Sequence, residues 1–140
     1  KMILFKNYGK EKNEIISALL SEIPSEYVND NVMIAQDGDE IIGSCFYEIE
    51  GQFCKLNYVH MMTDEELIKD GLIRTLINAM DLLDVTKIIV KIARDESFYA
   101  KIGFNPLFFS DFMIDLKGEE SNYLILDTKD FFANTCCSSK

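Results

Sequence analysis

The sequence predicts a single α/β (α+β) domain, built on a mixed and mostly antiparallel sheet of about seven strands with helices on both faces. Three observations favour this fold class. The hydrophobic period alternates between that of strands and that of helices, glycine-containing turns separate the early strands, and a helical segment links two of the later strands. With 140 residues, 48% of them hydrophobic, the chain has the size and composition of one domain with one core.

The first half of the chain predicts a strand, a helix and then a three-stranded meander. Met2 to Phe5 is a short apolar run, and Asn13 to Ile23 repeats apolar residues at the spacing of one helix face. Asp37-Gly38-Asp39 separates two β-branched runs and is typical of a hairpin turn. Glu50-Gly51 indicates a second hairpin, which leads into a strand over Gln52 to Met62.

The next segment predicts a helix that crosses between two parallel strands. From Gly71 to Leu83 the apolar residues return at the helical period, and Lys87 to Ile92 is typical of a buried strand. Asp95 is a suitable N-cap for a short helix that ends at Gly103.

The C-terminal part predicts a last pair of strands and a tail. These strands are expected over Leu107 to Leu116 and Asn122 to Asp127. We expect the domain to span residues 1–130 and residues 131–140 to form a C-terminal tail. Cys136-Cys137 and the three residues after it are expected to be a flexible end.

Charge and cysteine content exclude several classes of function. The net charge of −10 and the pI near 4.5 argue against nucleic acid or an anionic membrane as a partner, because such surfaces need concentrated Lys and Arg. Acidity would attract a cationic amine, although it also serves solubility. No segment has the pattern of a membrane span or a signal peptide, so we expect a cytoplasmic protein. Cys45 and Cys54 flank a predicted hairpin and could face each other across it, but in a chain without a secretion signal we expect two buried thiols. No metal-ligand spacing is present, so we expect no metal.

One heptapeptide resembles a known family signature. Phe98-Tyr99-Ala100-Lys101-Ile102-Gly103-Phe104 is similar to the late helix-to-strand motif of the GNAT superfamily of N-acetyltransferases, and the order of elements from Asn13 to Asp127 is similar to that of the same superfamily. The resemblance implies an enzyme that transfers an acetyl group from acetyl-CoA to a primary amine of a small molecule or a peptide.

The resemblance also implies a place for coenzyme A. In the family, a loop of the form Gln/Arg-x-x-Gly-x-Gly/Ala joins the fourth strand to the long helix, and its backbone amides hold the pyrophosphate. Here that place is taken by residues 68–73, which keep only the central glycine. The implied cofactor-binding residues are Lys69, Asp70, Gly71, Leu72, Ile73 and Arg74. For Lys69 and Arg74, a solvated charge on the helix surface is the alternative.

Acidic residues around this segment leave a second function open. Asp64, Glu65, Glu66 and Asp70 would stabilise a helix N-terminus but would repel a pyrophosphate. The alternative to the enzyme is therefore a non-catalytic GNAT-fold binding or interaction module that has lost efficient coenzyme A binding.

The resemblance nominates further residues for the reaction. Backbone groups of Val59, His60 and Met61 are implied to hold the pantetheine arm. Tyr99 takes the family position of the general acid, and a phenol with a pKa near 10 can give its proton to a thiolate. The alternative role for Tyr99 is a hydrogen-bonded core residue.

The base and the acceptor site are less defined. His60 could deprotonate an ammonium group, because an unperturbed imidazole titrates near pH 6.5, or it could be structural. Glu48 and Glu50 could bind a cationic substrate, with strand-end solvation as the alternative. The exposed edges of the sheet leave a homodimer open.

Overall fold

The computed structural model describes residues 2–11, 13–91, 95–107 and 123–138, with side chains as far as residue 133 in the last helix. The elements in chain order are β1 (Ile3–Gly9), α1 (Glu14–Leu20), a 3-10 turn (Ser25–Tyr27), β2 (Asn31–Asp37), β3 (Glu40–Glu50), β4 (Phe53–Met61), α2 (Glu66–Leu82), β5 (Lys87–Lys91), α3 (Glu96–Ile102), β6 (Asn105–Pro106), β7 (Tyr123–Asp127) and α4 (Thr128–Ser138).

Seven strands form one mixed sheet in the order β1-β2-β3-β4-β5-β7-β6, which confirms the predicted fold class. The pairs β1 with β2, β2 with β3, β5 with β7 and β6 with β7 are antiparallel. By their internal contacts the residues divide into two compact units. The first comprises Lys1–Glu48 and Leu56–Ala79, and the second comprises Ile49–Lys55 and Met80–Lys140.

The core of the first unit lies beneath α1. Asn13 caps this helix, because its side chain accepts a hydrogen bond of 2.9 Å from the amide of Ile16. The helix buries Ile16 and Leu19 against side chains of the strands. The cluster of buried residues is Ile16, Leu19, Ile23, Val32, Ile34 and Phe46.

The second helix of the first unit packs on the opposite face of the same strands. Phe5 of β1 pairs directly with Ala35 of β2, so the two side chains share a face, whereas the neighbouring Ile34 points to the face of α1. The ring of Phe5 lies against Gly71 of α2. Helices therefore cover both faces of the sheet in this unit, as predicted.

Both predicted hairpins are confirmed. Asp37 pairs with Glu40 across the first turn, where Gly38 has a φ of +62°, and Gly51 in the second turn has a φ of +60°. Glycine adopts this left-handed conformation without the steric cost that other residues incur. The register of β2 and β3 shifts between Ala35 and Gln36, which marks a β-bulge at the start of β3.

In the second unit, the junction of β7 and α4 is fixed by polar contacts. One oxygen of Asp127 accepts hydrogen bonds from the amides of Lys129 (2.9 Å) and Asp130 (3.0 Å), and the other pairs with Lys87. The hydroxyl of the buried Thr128 donates to the carbonyl of Val85 at 3.0 Å. Asp127 therefore acts as the N-cap of α4.

Two elements have other bounds than the sequence predicts. Residues 131–138, expected in the C-terminal tail, continue α4 to Ser138. The long helix begins at Glu66 instead of near Gly71, so residues 68–73 are part of the helix. The predicted strand from Leu107 to Leu116 lies, apart from its first residue, outside the described residues.

Cys45 and Cys54 are buried and free, as predicted. Within the described ranges, no helix is long and apolar enough to cross a membrane. The same part of the chain contains no group of three His, Cys, Asp or Glu residues that could hold a metal ion.

Candidate functional site

The end of β4 carries the candidate base. His60 lies on the face of Tyr58, and the two rings are stacked with centroids 6.2 Å apart. The carbonyl of His60 accepts a hydrogen bond of 3.5 Å from the hydroxyl of the buried Ser44. The Nε2 atom of His60 is buried and has no hydrogen-bond partner among the described residues. A buried polar atom without a partner is uncommon and marks a group that a ligand or water can complete.

The neighbouring residues of β4 face the other way. Because side chains alternate along a strand, Val59 and Met61 point away from the face of His60. Met61 lies over Gly43 of β3, where an added Cβ would be 2.7 Å from the Met61 methyl carbon. Gly43 thus leaves space for the side chain of Met61. The predicted role of Val59 and Met61 in cofactor binding concerns their backbone groups and stays a prediction.

The predicted cofactor loop is wrong in its conformation, because residues 68–73 form the early turns of α2. The amide of Gly71 is therefore inside a helix, where amides bond to the carbonyl four residues earlier and are not available to a phosphate. Leu72 and Ile73 are completely buried. The side chains of Asp70 and Arg74 pair with each other, with Arg74 Nε donating to Asp70 Oδ2 at 2.9 Å.

Packing explains the glycine at position 71. An added Cβ there would lie 2.5 Å from Cζ of Phe5 and 3.0 Å from its Cε2 atom. Such distances are shorter than van der Waals contact, so any side chain at position 71 would displace the ring or the helix. The single glycine that the sequence shares with the family loop is required here for contact between α2 and β1.

Free backbone amides lie five residues earlier, at the start of α2. Thr63 Oγ1 accepts from the amide of Glu65 at 3.2 Å, and the amides of Ile68 and Lys69 bond to the carbonyl of Glu65. In this described stretch the amides of Glu66 and Leu67 have no acceptor. Thr63-x-x-Glu66 has the sequence form of a capping box and could have indicated a helix start near Glu66, although in the structure the Thr63 hydroxyl bonds to the amide of Glu65 and not to that of Glu66.

The candidate acid lies in the second unit. Tyr99 is 1% exposed, and its ring packs edge-on against Phe98 and Phe104 with centroids 5.1 Å and 5.3 Å away. Its carbonyl accepts from the amides of Gly103 (3.2 Å) and Phe104 (3.1 Å), which ends α3. The aromatic residues of the heptapeptide therefore form a packed cluster around Tyr99, and its acid role stays a prediction.

The two candidate substrate-binding acids lie at the β3–β4 hairpin and take part in local pairs. The side-chain amide of Asn57 donates to Glu48 at 3.3 Å and to Asp30 at 3.0 Å. Glu50 pairs with Lys55 at 3.1 Å. Within the first unit, Glu48 is at the hairpin end of β3, whereas His60 is near the opposite end of β4, so the structure does not bring these two residues together.

The sequence matches no family model and no curated protein. Solved structures do match. A GNAT family N-acetyltransferase from Escherichia coli in complex with CoA is 14% identical, with a TM-score of 0.70 over 91% of this chain and 82% of that one. An N-acetyltransferase from Staphylococcus aureus Mu50 is 16% identical, with a TM-score of 0.67 over 92% and 99%. An IAA acetyltransferase from Bacillus cereus ATCC 14579 is 16% identical, with a TM-score of 0.64 over 90% and 99%. This chain therefore has the GNAT fold.

Proposed function

We propose that this chain, which has the GNAT fold, transfers an acetyl group from acetyl-CoA to a primary amine. The observation that carries the proposal is the pair of free amides, those of Glu66 and Leu67, at the start of α2 directly after β4. Free amides and the helix dipole together favour an anion at a helix N-terminus. A solved structure of this fold contains CoA.

The backbone at this helix start fits a pyrophosphate better than its side chains do. Asp64, Glu65 and Glu66 place three carboxylates around the free amides, and the nearest arginine, Arg74, is paired with Asp70. Like charges raise the free energy of the bound state. We therefore expect coenzyme A to bind through the amides of Glu66 and Leu67. Its affinity should be lower than at a helix start that has no carboxylates nearby.

The proposed chemistry needs few side chains. Acetyl-CoA supplies an activated thioester, so transfer to a neutral amine requires no nucleophilic residue in the protein. The backbone of Val59 and Met61 is proposed to orient the bound arm. His60 is proposed to take the proton from the incoming ammonium group, and the Tyr99 hydroxyl to supply the proton that the leaving thiolate needs.

Thermal shift with acetyl-CoA tests binding. At 100 times the dissociation constant a ligand stabilises the folded state by about 2.7 kcal/mol, which corresponds to several degrees for a domain of this size. Glu66→Gln should increase the affinity for coenzyme A roughly two- to fivefold, because it removes one carboxylate next to the phosphates. Glu96→Gln is the matched control, since Glu96 has the same position in the first turn of α3. An equal effect of both substitutions would exclude the helix start of α2 as the phosphate site.

Tyr99→Phe tests the acid role separately. The substitution keeps the ring and its contacts with Phe98 and Phe104 but removes the hydroxyl. If Tyr99 is the acid, kcat falls at least tenfold while the dissociation constant of acetyl-CoA stays the same. If turnover is unchanged and only the melting temperature falls, the hydroxyl has a structural role.

A second candidate function is supported by specific observations. The helical conformation of residues 68–73, the contact of Gly71 with Phe5 and the acids before α2 favour a GNAT-fold binding module without coenzyme A binding. No thermal shift at millimolar acetyl-CoA, in wild type and in Glu66→Gln alike, would support this module and contradict the enzyme.

A further inference from the structure

The first unit contains an apolar cleft that none of the predicted site residues line. The cleft lies between α1 and the start of β3 and has a volume of about 550 Å³, within the range of small-molecule sites. Its apolar lining includes Ile15, Ile41 and Met62. Ile15 is 40% exposed and Met62 is 56% exposed, so both present apolar surface to solvent that a ligand could cover.

Three carboxylates surround this apolar lining. They belong to Glu22, at the end of α1, and to Asp39 and Glu40 of the β2–β3 hairpin. None of the three side chains has an ion pair or a hydrogen bond with another described residue. Two other acids, Asp70 and Asp127, each pair with a cation. The negative charge at the cleft is therefore not compensated by the described part of the protein.

The cleft adjoins the end of β4. The amide of Met62 donates to the carbonyl of Ile42 at 2.8 Å, which extends the pairing of β4 with β3 by one residue. Met62 lines the cleft together with Leu19 and Ile41, which belong to the core on the face of α1. His60, with its unpartnered Nε2 atom, precedes Met62 by two positions and lies on the same face, with Tyr58.

We propose that this cleft binds a small primary amine in which an ammonium group is joined to an apolar arm. The arm would cover Ile15 and Met62 and so remove their exposed apolar surface from water, which favours binding. The ammonium would be attracted by the three carboxylates, which would repel an anion of the same shape. Naming this amine the acetyl acceptor rests on the proposed function, whereas the binding itself does not.

The test is an NMR titration of the ¹⁵N-labelled full chain without acetyl-CoA. The probes are hexylamine, 1-hexanol and hexanoate, which share an alkyl chain and differ in charge. We expect saturable shifts of the amides of Ala18, Ile41 and Met62 with hexylamine, and at least fivefold weaker binding of the alcohol and the acid. Equal binding of hexylamine and hexanol, or no saturation with hexylamine, would overturn the proposal.

Charge and apolar surface can be removed separately. Glu22→Gln with Glu40→Gln should weaken hexylamine binding at least fivefold. Glu26→Gln with Glu96→Gln, which changes the net charge equally at exposed acids outside the cleft, should leave it unchanged. Met62→Gln should weaken binding, whereas Leu82→Gln, at an exposed apolar residue of α2, should not. The spectrum of each variant also reports its folding. If a control variant weakens hexylamine binding as much as the corresponding cleft variant does, the cleft is not the site.

Failure of this proposal and failure of the proposed function give different results. If hexylamine binds at the cleft but acetyl-CoA produces no thermal shift, the cleft is a site for amines and the acetyltransferase proposal is wrong. If acetyl-CoA binds and amines are acetylated while hexylamine leaves the cleft amides unshifted, the cleft proposal is wrong and the function stands.

Discussion

The substitution Gly71→Ala tests whether packing or phosphate binding explains the glycine in α2. The new Cβ would lie 2.5 Å from Cζ of Phe5, so the ring must tilt or the helix must move. Overpacking of this kind costs about 1 to 3 kcal/mol, and alanine in a helix interior regains about 1 kcal/mol relative to glycine. We therefore expect a net loss of roughly 1 kcal/mol in the free energy of unfolding.

The same substitution should have the opposite sign once the ring is removed. In a Phe5→Leu background the atom nearest to the new Cβ is absent, so Gly71→Ala should stabilise the protein by up to about 1 kcal/mol through helix propensity alone. Urea unfolding of the wild type, both single variants and the double variant gives the coupling energy, which we expect to be roughly 1 to 3 kcal/mol. A coupling below about 0.5 kcal/mol would refute the packing explanation. Loss of coenzyme A affinity in Gly71→Ala with unchanged stability would assign the glycine to a phosphate site.

Three further predictions concern the described polar and thiol groups. Burial alone would raise the pKa of Asp127, but the hydrogen bonds from Lys87 and from two backbone amides outweigh burial and lower this pKa in the folded state. The contribution of Asp127 to the free energy of unfolding is therefore complete above the pKa of the unfolded state, near 4. It is lost as the pH falls through the lower pKa of the folded state. Urea unfolding of Asp127→Asn should therefore show a smaller loss of stability between pH 5 and pH 2 than the wild type. Burial raises the pKa of Cys45 to about 12, although a backbone hydrogen bond from Met33 lowers it in part. The Cys45 thiol is therefore protonated at pH 8 and should react with a disulfide reagent only after the protein unfolds. Thr128→Val should destabilise the protein by about 1 to 3 kcal/mol, because it removes a buried donor, whereas Thr75→Val, whose hydroxyl bonds to a carbonyl within α2, should cost less.

The sequence predicts the hairpins and the sheet well because their signals are local. The Asp-Gly turn marks the end of β2 and the start of β3, and the Glu-Gly turn marks the end of β3 and the start of β4. Asn13 caps α1 at the place where the apolar helix period starts. Each of these features depends on residues that are close in sequence. The resemblance of the order of elements to the GNAT superfamily is confirmed at the level of the fold for the same reason.

The start of α2 could not be predicted from the glycine. Gly71 is predicted as a loop residue because its position resembles the central glycine of the family loop, yet its helical position is required by Phe5, which is distant in sequence. A contact of this kind is visible only in the structure. The end of the chain differs, because Asp127 with Asp130 three residues later has the form of a helix start, and this local signal predicts α4 where the adjacent cysteines and serines suggested a tail.

The two features that most suggested an enzyme, Gly71 and the heptapeptide, therefore do not by themselves indicate activity. Gly71 and the heptapeptide both have packing explanations, since Gly71 accommodates Phe5 and Tyr99 is enclosed by Phe98 and Phe104. Residues retained for packing preserve a fold whether or not the activity remains. The proposed activity depends on groups that packing does not use, among them the free amides of Glu66 and Leu67 and the unpartnered Nε2 of His60. Variants that change these groups without changing the core are thus the ones that separate the enzyme from the binding module.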